Sequence, residues 1–349
     1  MTIRIGNRAI GSSEHPFVIA EMSGNHNRSL DRAMEIVDEA ARAGAHALKL
    51  QTYTADTMTL DIRTTEFIIQ EPTSLWNGRS LYDLYEEAST PWEWHRPLFE
   101  RARELGMIPL STPFDASAVD FLEALGSDAY KVASFEITDL ALISKIGRTH
   151  KPMIISTGMA TPGEISEAVD VAREAGCPDL VLLKCTSTYP ASPEDSNLAT
   201  IPHMREMFHC EVGVSDHTVG IGAAVCAVAL GATVIEKHFT LRRADGGVDS
   251  AFSIEPGELA ALVVESRRAW QAVGSVSYGT IAAEVASLQF RRSIYFVKDI
   301  GKGERITPDA VRVIRPGHGL AARFLQTIIG MTVSRDVKRG SPVSWDVVK

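Results

Sequence analysis

Two histidines, His217 and His238, close the apolar runs EVGVSDH and TVIEKH and stand 21 residues apart. That spacing is about one βα unit, which sets them at equal heights on neighbouring strands of a parallel sheet. There two imidazoles could share a divalent ion of the Mn, Co, Zn or Mg type, with open positions for water or substrate oxygens. Either histidine alone reads as an ordinary hydrogen-bonded side chain, and it is the pair that points to a metal. Lysines and hydroxyls stand near the ends of other apolar runs: Lys49, Lys131 and Lys184, with Thr112, Ser134, Ser156, Ser187 and Ser215. Lysine is a point charge and a hydroxyl is a donor, so together they form an anion cradle. Lys131 has a competing role as a Schiff-base nucleophile, which needs a desolvated amine. Glu21 reads as a base, a water-mediated metal partner or a plain strand-end carboxylate. Gln51, Glu136 and Tyr189 add polar groups at strand ends, whereas Asp249, in the loop Gly246-Gly247-Val248-Asp249, reads by sequence alone as a solvated turn residue.

The elements that must carry these residues alternate. Eight short apolar runs begin with FVIAE (Phe17 to Glu21) and HALKLQ (His46 to Gln51) and finish with TVIEKH (Thr233 to His238). Amphipathic stretches lie between them. Leu30 to Ala43 sets Ala33, Met34, Val37, Ala40 and Ala41 on one face before Gly44 stops it, and Gly163 to Ala175 ends in Gly176-Cys177-Pro178. Eight alternations predict a (β/α)8 barrel, whose strand C-termini surround one site. An open doubly wound sheet is the alternative, but no G-x-G-x-x-G follows the first strand. Gly6-Asn7 predicts an N-terminal β-hairpin. The connection from Thr52 to Pro91 is abnormally long and rich in large apolar residues, which predicts a packed insertion. Its position over the site or beside it stays open. Residues 1–274 are expected to form the barrel domain, 275–289 a linker, and 290–349 a small β-rich domain.

Bulk properties exclude some functions. The chain has 349 residues, 45% hydrophobic and 23% charged, as a globular protein does. A formal net charge of −9 argues against nucleic-acid binding, which needs a basic surface. Four scattered cysteines read as buried thiols, no apolar run is long enough to span a bilayer, and residues 1–11 lack the core of a signal peptide. A soluble cytoplasmic protein is the expectation.

The ordered segments AEMSGNH, LKLQTYT, STPF, AYKVASFE, ISTGM, LKCTSTYP, VSDHT and IEKHFT resemble the sialic acid synthase family, which includes N-acetylneuraminate, legionaminate and pseudaminate synthases. SIYFVKDIGKGERIT and VRVIRPGHG resemble the antifreeze-like (SAF) domain that follows the barrel in that family. The resemblance implies condensation of phosphoenolpyruvate with an amino sugar. It implies His217 and His238 as metal ligands, Mn being the usual ion with Mg or Co as alternatives. It assigns phosphoenolpyruvate to Lys49, Thr112, Lys131, Ser134, Ser156 and Ser215, with Ser187 standing where N-acetylneuraminate synthases commonly have Asn. Glu21, Gln51, Glu136, Tyr189 and Asp249 match positions that handle the sugar or water, with Glu21 and Asp249 as proton carriers. Arg315 matches an arginine inserted into the other subunit's site, which implies a domain-swapped homodimer.

The insertion resembles the pseudaminate branch more than the N-acetylneuraminate branch, and Phe135 suggests a more apolar pocket. The expected acceptor is therefore 2,4-diacetamido-2,4,6-trideoxy-L-altrose, with N-acetylmannosamine or a related amino sugar as the alternative. A lysine aldolase acting through Lys131 and a non-catalytic sugar-binding or ice-binding protein are the rival readings. The complete His217, His238 and lysine set speaks against the last.

Overall fold

The structure, a computed structural model, describes residues 2–349, which divide into one unit ending at Gly274 and another running from Ser275 to Lys349. In the first, β1 (Thr2–Ile5) and β2 (Arg8–Gly11) form the expected hairpin, with Ile5 opposite Arg8 and Gly6 at φ 54° in the turn. Eight parallel strands follow: β3 (Phe17–Glu21), β4 (Ala47–Thr52), β5 (Ile108–Pro113), β6 (Tyr130–Val132), β7 (Met153–Ser156), β8 (Leu180–Cys185), β9 (Glu211–Asp216) and β10 (Val234–His238). They close into a barrel in which β10 pairs with β3, Val234 opposite Phe17 and His238 opposite Glu21.

Each strand is buried on both faces, which is why its sequence is an unbroken apolar run. Successive side chains still alternate between the barrel interior and the surrounding helices. Val18, Ala20, Leu48, Leu50, Leu182 and Ile235 pack outward among helix residues such as Ile36, Val37 and Leu259. Phe17, Ile19, Ala47, Leu110, Ile154, Val181, Leu183 and Val234 pack inward in a cluster that also holds Ile3, Ile5 and Ile10 of the hairpin. Continuing the inward series by two-residue steps toward the strand ends reaches Glu21, Lys49, Thr112, Lys131, Ser156, Cys185, Ser215 and Glu236. The barrel is therefore apolar at the hairpin end and polar at the other.

The same alternation removes Lys184 from the expected cradle. It shares the outward parity of Leu180 and Leu182, and its Nζ donates to the Cys185 carbonyl at 3.0 Å. Ser111 is likewise outward, its Oγ 2.7 Å from the hydroxyl of Thr52, which lies 2.8 Å from His95 Nε2. Asp216 faces out to the buried Lys237, with the charges 2.7 Å apart.

Helix ends are fixed by local caps. Ser29 accepts from the Arg32 N–H at the start of Leu30–Arg42, and Gly44 at φ 89° follows its end. Thr161 and Glu164 form a capping box on Pro162–Glu174. The insertion is ordered around the helices Ala55–Met58 and Leu81–Ala88. Among the described residues no helix is long and apolar enough to cross a membrane.

In the second unit β11 (Ser293–Phe296) and β12 (Val311–Ile314) pair antiparallel. Ile294, Phe296, Ile306, Ile328, Val333 and Val343 make its core. Most of the stretch read as a linker, 275–289, winds into the 3-10 helix Ala282–Phe290, and the Gly317 N–H donates to the Gln289 carbonyl at 2.9 Å. Contacts of this kind group residues 275–289 with the small unit.

Candidate active site

At the polar end of the barrel, two lysines and two carboxylates interlock. Lys49 Nζ lies 2.5 Å from Glu21 Oε2 and 3.9 Å from Glu236 Oε1, and Lys131 Nζ lies 3.6 Å from the same Glu236 oxygen. Lys49 also donates to the Thr112 hydroxyl at 3.1 Å, Gln51 donates to Glu21 at 3.0 Å, and Ser215 donates to Glu236 at 3.2 Å. All four charged groups are buried. Burial alone would neutralise Glu236, but Lys131 and Lys49 outweigh it and hold its carboxyl below the ordinary range. At Glu21 burial wins over the attraction of Lys49 and lifts the carboxyl to about 7. Burial lowers Lys131, against the pull of Glu236.

Beside this cluster, Ser134, Ser156 and Ser187 gather around β7. Ser134 Oγ accepts from the Gly158 N–H at 3.1 Å. A Cβ at Gly158 would lie 2.1 Å from Ser187 Oγ and 2.8 Å from Ser134 Oγ, so only glycine lets the two hydroxyls converge. Among the described residues the buried Ser156 hydroxyl has no hydrogen-bonding neighbour, which suits it to a ligand.

His217, just after β9, and His238, at the end of β10, have ring centroids 5.3 Å apart. His217 Nδ1 is 3.0 Å from the Thr186 carbonyl. A carbonyl only accepts, so Nδ1 carries the proton and Nε2 keeps a lone pair, the arrangement common in metal-binding histidines. His238 is buried and its Nδ1 has no hydrogen-bonding neighbour among the described residues; the Asp249 carboxylate is 3.8 Å away. Burial, with the positive neighbours His217 and Lys49, holds His238 well below the ordinary histidine range and therefore neutral. At His217 burial is outweighed by Cys185 and the Thr186 carbonyl, which raise its pKa, so its Nε2 is open to an ion once the proton there is lost; with the neutral His238 beside it, the pair fits a divalent ion. Among the described residues no set of three or more His, Cys, Asp or Glu forms a closed cage, so an ion on this pair would keep open positions.

Asp249 is buried, contrary to the solvated turn residue its loop suggests. Ser23 donates to its carboxylate, and Ser253 donates to its carbonyl at 2.7 Å. Burial raises its pKa. Tyr189 lies against His217 at 4.5 Å between centroids. A cavity of about 360 Å³ joins these groups, lined by Gln51, Glu136, Ser187, Tyr189, His238 and Asp249 on the strand-end side. Its other wall comes from the insertion, which settles that this segment borders the site. Phe135 lines the cavity too, with much of its ring exposed.

One carboxylate oxygen of Glu136 is buried with no donor among the described residues, and burial lifts the group to about 7 from its ordinary 4.5. Between those pH values the folded chain holds a proton that the unfolded chain has released, so stability falls as pH rises through the window. Glu136→Gln is expected to remove about 1–3 kcal/mol of that slope. Urea titrations at pH 5 and pH 7 check it; equal pH dependence in both proteins counts against a buried neutral Glu136.

Arg315 follows β12, exposed, in the second unit. Sequence reasoning passed over three contributors: Ser23, Cys185 and Phe252. Glu236 stands at a strand end two residues before His238 and so shares its face. Ser23 and Phe252 sit in loops, where no period marks them.

The NeuB family model matches residues 36–278, and the SAF domain model matches residues 291–349. The chain belongs to the NeuB family. Among NeuB relatives, a pseudaminic acid synthase of Campylobacter jejuni is 43% identical over 97% of both chains. One from Helicobacter pylori is 40% identical over 96% of this chain and 98% of that one. Among solved structures, the N-acetylneuraminic acid (sialic acid) synthetase of Leptospira borgpetersenii superposes with a TM-score of 0.74 at 32% identity, covering 83% of this chain and 96% of that one. Membership of the NeuB family makes this a phosphoenolpyruvate-dependent nonulosonic acid synthase, and not an aldolase built on Lys131 or a non-catalytic binding protein.

Proposed function

We propose that this chain is a pseudaminic acid synthase, condensing phosphoenolpyruvate with 2,4-diacetamido-2,4,6-trideoxy-L-altrose and releasing phosphate by C–O cleavage. The observation that carries the reading is identity of 40% or more, over nearly the full length, to pseudaminic acid synthases of two organisms. The apolar wall of the cavity agrees with it, because a 6-deoxy sugar presents a methyl where other acceptors present a hydroxyl. Phosphate release is measured with this sugar and with N-acetylmannosamine; faster turnover of the latter sinks the pseudaminate reading.

In the proposed mechanism Lys49 and Lys131 bind the charged ends of phosphoenolpyruvate, with donors from Thr112, Ser134, Ser156, Ser187 and Ser215 fixing its orientation. A divalent ion, Mn by preference with Mg or Co as alternatives, would be held by His217 and His238 and would polarise the open-chain aldehyde as a Lewis acid. The methylene carbon of phosphoenolpyruvate forms a bond to the aldehyde carbon, whose oxygen takes a proton. Water adds to the resulting cationic carbon and loses a proton; the tetrahedral centre then collapses to the ketone, breaking its C–O bond to phosphate, and the hydroxyl proton leaves with the phosphate. Gln51, Glu136 and Tyr189 face the cavity and bind the sugar. Glu21 and Asp249 serve the two proton transfers. Glu21 suits this because a carboxyl near pKa 7 both gives and takes a proton at neutral pH.

Glu21→Gln keeps the shape and removes the exchangeable acid. A fall in kcat of about a hundredfold or more is expected, the typical worth of a general acid–base group. Single-turnover phosphate release checks it, and wild-type turnover removes Glu21 from the mechanism.

We also propose a domain-swapped homodimer in which Arg315 of one chain completes the site of the other. Its support is the resemblance of RPGHG to the family's arginine motif, together with the exposure of Arg315 in the small unit. Arg315→Ala is expected to lose about ten- to a hundredfold in kcat/KM, the worth of a charge-assisted hydrogen bond, with dimer and metal content retained. Light scattering, metal analysis and phosphate release together decide it; full activity ends the proposal.

A further inference from the structure

The cavity wall supplied by the insertion is formed by Met58, Ile69, Trp76, Leu81, Leu84 and Tyr85. Within its segment 71–78, Glu71, Pro72, Thr73, Leu75, Asn77 and Gly78 are exposed, and Trp76 turns inward. The indole has two ties. Its Nε1 donates to the Val248 carbonyl at 3.0 Å, and its ring lies 5.7 Å from that of Tyr189. Both ties land next to the reacting groups. Val248 precedes Asp249, while Tyr189 packs on His217 at 4.5 Å and on Phe252 at 5.3 Å; Phe252 in turn packs on His238 at 4.9 Å.

The loop that carries Val248 is entered through Gly246 and Gly247, at φ 73° and 128°. Glycines restrict the backbone little, so the loop's position depends on cross-contacts. Those contacts include Ser23 to Asp249, Asn27 to the Gly246 carbonyl at 3.2 Å, Ser253 to the Asp249 carbonyl at 2.7 Å and, from the insertion, Trp76 to Val248.

We infer that Trp76 is the residue through which the insertion selects the acceptor sugar. Its indole forms the apolar surface against the non-reacting side of the sugar and holds Val248, and hence Asp249, in place for the reacting end. This rests on the synthase reading above. A methyl on the sugar loses nothing against Trp76, Leu81 and Leu84. A hydroxyl there faces carbon on each side and forfeits its hydrogen bonds with water. Trp76 is thus a positioning and specificity residue, separate from the phosphoenolpyruvate cradle at Lys49 and Lys131.

The test compares wild type, Trp76→Phe and Trp76→Ala by phosphate release, with the 6-deoxy diacetamido sugar and with N-acetylmannosamine. Trp76→Ala is expected to raise KM for the deoxy sugar roughly tenfold and to narrow the preference between the two sugars, the effect of losing one neutral hydrogen bond and one aromatic contact. KM for phosphoenolpyruvate stays within about twofold, because no cradle contact is touched. Trp76→Phe keeps a ring against Tyr189 but not the donor, and falls between. Tryptophan emission reports the same contact: adding the deoxy sugar shifts it in wild type and not in Trp76→Phe. An unchanged KM for the deoxy sugar in Trp76→Ala, or an equal rise in KM for both substrates, overturns the inference alone. Wild type inactive with both sugars overturns the synthase reading and the inference with it.

Discussion

His238→Ala is expected to abolish divalent-ion binding and to lower turnover by about a thousandfold or more, since Lewis-acid activation is worth several kcal/mol. The size follows from the surroundings. His238 is buried and neutral, and among the described residues nothing hydrogen-bonds its Nδ1 or competes for that lone pair. Its neighbour His217 is pre-oriented by the Thr186 carbonyl, which leaves Nε2 free. With two protein ligands available, losing one halves the protein's share of the coordination shell, and the remaining imidazole would hold the ion weakly. Calorimetric titration of Mn into the variant and phosphate release at saturating substrate measure the two effects. A variant that binds Mn as wild type does, or turns over without loss, removes the histidine pair from the mechanism. Phosphoenolpyruvate binding should survive, because the cradle lies on other strands.

Lys131→Met should show the opposite pattern. KM for phosphoenolpyruvate is expected to rise about a hundredfold, the worth of a buried charge-assisted contact, while KM for the sugar changes little. The substitution also disturbs the free protein. Lys131 and Lys49 together hold Glu236 ionised, and its oxygen is 3.6 Å from Lys131 and 3.9 Å from Lys49. Removing the nearer cation leaves a buried carboxylate with one distant counter-charge, a loss of up to about 3–5 kcal/mol. The double variant Lys131→Met/Glu236→Gln separates the two consequences. It should recover the thermal stability and stay defective for phosphoenolpyruvate. Recovery of substrate affinity along with stability would show that Lys131 serves the fold and not the ligand.

Much of this molecule was legible in the residues. The eight strands could be read because each is an apolar run of strand length, and the helices because their caps and faces are local. Gly6-Asn7, Gly44 and Gly176-Cys177-Pro178 act through near neighbours, so a short window contains the whole cause. The histidine pair was legible for a related reason: a spacing of 21 residues returns the chain to the same height one strand over.

What tertiary structure decided was direction and closure. Lys184 and Lys131 look alike as strand-end lysines, yet one points to the helices and the other to the barrel axis, a choice set by the parity of each strand in the closed sheet. Asp249 reads as a loop residue and becomes a buried one only because Ser23, 226 positions earlier, meets its carboxylate. Trp76 lies in a segment with no period to read, and its role comes from the carbonyl of Val248, 172 residues away. The amino-acid sequence by itself therefore determined which elements form and which residue types crown them. The pairing of β10 with β3, and the folding of the insertion onto the 246–249 loop, determined which of those residues face one another, because such contacts join residues that no local pattern links.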